Sequence, residues 1–149
     1  MKKKGEYTCR GRVIEGDEVR IQLFDGSFET AYKVISFDIW SADLGSSGND
    51  CAGRLSVNSI GAMPTSGTMM DARDANQIAW AAVQAGTNGF GPISSIVDPD
   101  NLVIEDLWFS GQHGGTSKEI NYLITMEKYD ISETMGAVTM SRKQAKRSD

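Results

Sequence analysis

The sequence predicts an all-β fold, an antiparallel β-sandwich, on three observations. Apolar and polar residues alternate with a period of two in several separate runs, as half-buried strands require. Clusters of Gly, Asp, Asn, Ser and Pro punctuate those runs. Helical periodicity is confined to the C-terminal end. The chain has 149 residues and 16.2 kDa, which suits a single domain (1–149) whose core needs no disulfide or metal. With 40% hydrophobic and 23% charged residues, it reads as globular, not disordered.

Taken in order, Val19, Ile21 and Leu23 alternate with Arg20 and Gln22 and form the first predicted strand. Asp25-Gly26-Ser27 then fits a tight turn. Ile35, Phe37 and Ile39 alternate with Ser36 and Asp38, and Leu55 and Val57 with Arg54 and Ser56. Residues 77–84 waver between helix and strand; Ile78, Trp80 and Val83 tip them to strand. Asn88-Gly89, within the predicted loop 87–92, is a strong turn signal. Leu102 to Phe109 is nearly continuous in apolar residues and reads as a more central strand. Gly111 to Gly115 reads as the loop before the last strand, where Ile120, Tyr122, Ile124 and Met126 alternate with Asn121, Thr125 and Glu127. Asp130-Ile131-Ser132-Glu133 has the form of a capping box, and Ile131, Met135 and Val138 follow at helical spacing. These predict a short helix over about 131–145, weakened by Gly136 and Thr139, with a further strand as competitor. A jelly-roll-like sandwich is the first expectation and an immunoglobulin-like one the second, since strand order is not visible in a sequence.

Charge is unevenly placed. Net charge is −5, which counts against a domain that coats nucleic acid. Yet Lys2, Lys3 and Lys4 sit at one end, and Arg142, Lys143, Lys146 and Arg147 at the other. Residues 5–141 hold 8 bases and 19 acids, a net −11. Basic tails (1–5 and 142–149) on an acidic body predict either solvated ends or arms that contact a neighbouring subunit or packaged nucleic acid. Gly5 to Arg10 is polar, so Met1 to Lys4 does not introduce a secretory signal, and the apolar run Ile78 to Val83 is too short to span a bilayer. Cys9 and Cys51 read as two free or buried thiols, without a disulfide framework.

No residue pattern predicts catalysis, a cofactor or a metal. His113 lies among glycines and reads as an exposed loop histidine; no Gly-x-Ser-x-Gly turn presents a nucleophile to it. Gly114 to Lys118 lacks the Gly-Lys-Ser/Thr order of a phosphate loop. Asp98-Pro99-Asp100 fits turn chemistry, and Val103 stands where a calcium loop needs glycine. Trp40, Trp80 and Trp108 are core residues in the ordinary reading; the sharper one makes them a platform for a carbohydrate or other ligand. Asp74 to Ser117, the stretch that holds Trp80 and Trp108, has no Lys or Arg and its charged residues are all acids, which counts against nucleic acid there.

Asp98 to Phe109, Ile120 to Glu127 and Asp74 to Trp80 together resemble small β-rich structural proteins of bacterial viruses. The resemblance implies a virion part such as a minor coat, penton or spike-base subunit, made in the host cytoplasm. It implies homo-oligomers or other virion proteins as partners and brings no catalytic residues. The resulting expectation is a non-enzymatic structural subunit of a phage particle, with a carbohydrate- or ligand-binding module as the alternative.

Overall fold

The computed structural model describes residues 2–42, 50–65, 67, 70–86, 89–114 and 119–131, and of residues 85, 86 and 89–93 the backbone alone. Within them the chain forms eight strands: β1 (Lys2–Ile14), β2 (Glu18–Ile21), β3 (Thr30–Ser41), β4 (Cys51–Ser56), β5 (Gln77–Gly86), β6 (Gly89–Val97), β7 (Leu107–His113) and β8 (Glu119–Asp130). They build two antiparallel sheets. One has three strands in the order β1-β8-β3, the other five in the order β2-β7-β4-β5-β6. This is the predicted all-β, sandwich-like arrangement.

The inward residues of each sheet meet in one core. Phe37 of β3 and Tyr122 of β8 pack on Phe109 of β7, with ring centroids 5.8 and 5.1 Å apart. Val34, Ile39, Ile120, Ile124 and Met126 face Leu55, Ala79, Val83 and Leu107 around them. Period-2 alternation therefore becomes burial, at roughly 2 kcal/mol for each fully buried aliphatic side chain. Glycine lets the layers close: a Cβ on Gly111 would lie 2.7 Å from the Ala52 carbonyl oxygen and 2.9 Å from Ile120 Cδ1. That is why Gly111 to His113 continues β7, where the sequence predicts a loop.

Two further strands were not expected. From Lys2 on, the basic tail predicted over 1–5 and the polar stretch up to Arg10 are instead part of β1, where Tyr7, Cys9, Gly11 and Val13 fall on the inward side of the ladder with β8. The predicted loop 87–92 overlaps β6, which begins at Gly89 and is an edge strand, where proline is tolerated. The strand predicted over 102–109 begins only at Leu107. Before it, Asn101 stands in for a strand. Its Oδ1 accepts from Val34 N–H at 2.8 Å, and its amide donates to the Val34 and Asp98 carbonyls at 3.0 and 2.7 Å. Val103 adds a bridge to Tyr32, so this loop closes the lower edge of β3 beside its bulge. Of the predicted C-terminal helix, residues 132–145 lie outside the described residues; Asp130 ends β8, and Ile131 is buried.

Candidate functional site

The basic N-terminus is not a free tail. Lys2, Lys3 and Lys4 belong to β1, and Lys3 and Lys4 lie 2.5 and 2.9 Å from Glu127 and Asp130 of β8. The fold brings the two described ends of the chain together as neighbouring strands, so these lysines meet carboxylates far away in sequence. Arg142, Lys143, Lys146 and Arg147 lie outside the described residues.

The three tryptophans are not brought together. Trp40 lies on the outer face of the three-stranded sheet. Trp80 and Trp108 lie on the outer face of the other, with β4 between their strands. All are half-buried. The acidic surroundings expected for Trp80 and Trp108 are a correction. Cross-strand pairing sets Arg54 opposite Trp80, and the Arg20 guanidinium lies 6.0 Å from the Trp108 ring centroid. Neither arginine is near its tryptophan in sequence.

Alternation and register place four cross-strand rows on the outer face of the three-stranded sheet. Arg12, Asn121 and Trp40 form the first; Arg10, Leu123 and Asp38 the second; Thr8, Thr125 and Ser36 the third; Glu6, Glu127 and Lys33 the fourth. The β1 members and Asp38 are exposed, and Arg12 lies 3.7 Å from Glu119. The sequence shows the alternation but not the rows, because β1 and β8 come from opposite ends of the chain.

The outer face of the five-stranded sheet carries an analogous row, Glu18, Ser110, Arg54, Trp80 and Ile96. The connection after β4 folds back over part of it. Met63 N–H donates to Ser110 Oγ at 2.5 Å, Gln112 donates to the Met63 carbonyl at 2.7 Å, and Arg54 donates to the Gly61 carbonyl at 3.2 Å. The Glu18 carboxylate accepts from Ile60 N–H at 3.0 Å and from the Ser59 hydroxyl. Arg54 and Met63 are left 6% and 2% exposed, although both sit outside the sandwich core. Burial lowers the Arg54 pKa, and the charges of Glu18 and Asp74 oppose that shift.

His113 corrects the expectation of an exposed loop histidine. It is 6% exposed at the end of β7, and its Nε2 lies 2.7 Å from Ser41 Oγ at the end of β3. Its backbone N–H donates to Glu15 at 3.1 Å. Ser41 is 2% exposed, so the pair ties one sheet to the other and presents no nucleophile to solvent. Beside it opens a cleft of about 520 Å³ lined by Glu15, Asp50, Thr65, Gln84, Gln112 and His113. Cys51 also lines it; burial, then the Asp50 charge, push its thiol up to about 11, so it is protonated at neutral pH and a poor nucleophile. Cys9 and Cys51 are free thiols. Among the described residues no group of three or more His, Cys, Asp or Glu could hold a metal ion, and no helix is long and apolar enough to cross a membrane.

No family model matches the chain, and neither does any curated protein or solved structure.

Proposed function

We propose that the chain is a non-enzymatic structural subunit of a virus particle, working by association with its own copies or with other coat proteins. The observation that carries this reading is the strand order. First and last described strands are neighbours, β1-β8-β3 faces β2-β7-β4-β5, and the Ser95 hydroxyl of β6 reaches back to the Phe37 carbonyl of β3. Apart from β6, which pairs with β5, this order supports a jelly roll of two Greek keys over a constant-type immunoglobulin sandwich, whose ABED and CFG sheets hold the first and last strands apart. Jelly rolls recur in viral capsids and in lectins, and their function lies in their surfaces. Here one surface is an open, mixed-charge sheet face, the kind that joins rigid blocks.

The test is the solution mass of the purified chain by light scattering at low and moderate salt. Species well above 16.2 kDa that shrink as salt rises are the expected result. A monomer at every concentration would remove self-association. Deleting residues 142–149 then asks whether the C-terminal bases act as an arm; unchanged assembly would end that part of the proposal.

Trp40 favours a second reading, a carbohydrate- or ligand-binding module, because Asn121 and Arg12 share its row. Tryptophan fluorescence titrated with a panel of oligosaccharides tests it, and no response across the panel would sink it.

A further inference from the structure

We propose that the outer face of the three-stranded sheet pairs with the same face of a second copy, about a two-fold axis running along β8. This rests on the reading that the chain acts by association, and it names the surface and the partner.

The argument is charge and shape complementarity, row by row. A two-fold along the central strand sets β1 of one copy over β3 of the other, and β8 over β8. In the first row Arg12 then faces Trp40 of the second copy, a cation over an indole, and Asn121 faces Asn121, two amides that can donate and accept. In the second row Arg10 faces Asp38 and Leu123 meets Leu123 on the axis. In the third, Thr8 faces Ser36 and Thr125 faces itself. In the fourth, Glu6 faces Lys33. Each pairing off the axis occurs twice. The like-charge contact is Glu127 with itself, and Lys3, 2.5 Å from that carboxylate, offsets it. The other in-plane two-fold, across the strands through the threonine row, sets Leu123 against Glu127 and gives no apolar centre. Facing sheets of aligned strands pack about 10 Å apart, within reach of these long side chains.

The size of the face sets the strength. Three strands about 4.8 Å apart and seven residues of about 3.3 Å rise give a footprint of roughly 330 Å², against about 800 Å² per partner in a stable complex. The pair is therefore weak alone. It suits a contact reinforced by others in a repeating assembly.

The experiment is sedimentation equilibrium of the full chain up to about millimolar concentration at low salt, with three variants. The wild type is expected to rise toward twice its 16.2 kDa mass and to fall back as salt is added. Arg10→Asp and Asp38→Arg change exposed side chains and should leave the circular dichroism spectrum unchanged. Each alone sets like charges face to face and should weaken the pair by about tenfold or more. An equimolar mixture of the two variants should restore it, since Asp at position 10 of one chain then meets Arg at position 38 of the other, and the native Asp38 of the first meets the native Arg10 of the second. Leu123→Lys should weaken the pair at least as much, because that residue lies on the axis and the substitution sets two like charges against each other. Association that ignores both charge swaps would overturn this face while leaving the association reading intact. A wild-type chain that stays monomeric at every concentration overturns this face and, with it, self-association.

Discussion

The two outer faces of the sandwich begin from the same material, a cross-strand row holding an arginine and a tryptophan, and end in opposite states. On the five-stranded sheet, the connection after β4 covers Arg54 and Ser110, seats Met63, and satisfies its own backbone on Glu18, Ser110 and Gln112. On the three-stranded sheet, Arg10, Arg12 and Asp38 stay exposed. The difference teaches where stability and where association reside. A covered polar row behaves as a second core, in which each lost group leaves a buried partner unsatisfied. An open row contributes little to folding and keeps its charges for a partner.

Breaking the covered face should produce the largest effect. Arg54→Ala removes a buried cation from between Glu18 and Asp74 and leaves the Gly61 carbonyl without its donor; a loss of about 3 kcal/mol is expected in urea unfolding. The connection over residues 57–65 should also become a protease site. Met63→Ala comes next, at about 2–3 kcal/mol by the same unfolding measurement, because it opens a cavity beneath that connection.

Asp106→Asn is smaller, about 1–2 kcal/mol. Burial pushes this carboxyl up, but the N–H groups of Phe24 and Leu23 and the Arg20 guanidinium outweigh it and hold the pKa below the usual range. The sign follows. A carboxyl depressed in the folded state stabilises above its unfolded pKa of about 3.9, and that contribution is lost as pH falls through the lower folded value. Acid unfolding profiles of the wild type and Asp106→Asn should therefore draw together as pH falls through that depressed folded value. The open face gives the smallest effect: Arg12→Ala and Lys33→Ala should each change stability by no more than about 0.5 kcal/mol. Either one costing several kcal/mol would show that this face is also structural and would erase the contrast.

Legibility in the sequence follows from the range of each interaction. Six strands were readable because Ile35, Phe37 and Ile39, or Ile120, Tyr122 and Ile124, alternate within one run. β1 carries the same signal in Tyr7, Cys9, Gly11 and Val13, but small and polar residues dilute it. β6 was hidden by Pro92, which an edge strand tolerates. His113 was misplaced because glycine reads as loop, whereas Gly111 is there to let Ile120 and Ala52 approach.

By itself, the sequence determined the all-β class and most of the inward residues, because a period of two is a local property of the chain. It also determined the charge and the absence of recognisable catalytic motifs. Only the tertiary structure decided which strands are neighbours, and with them everything functional proposed above. The pairing of β1 with β8, the placing of Arg54 opposite Trp80, the roof over one sheet and the bare rows of the other all depend on contacts between distant segments. Such contacts form by burying the shared core, and no local pattern records the register in which they do so.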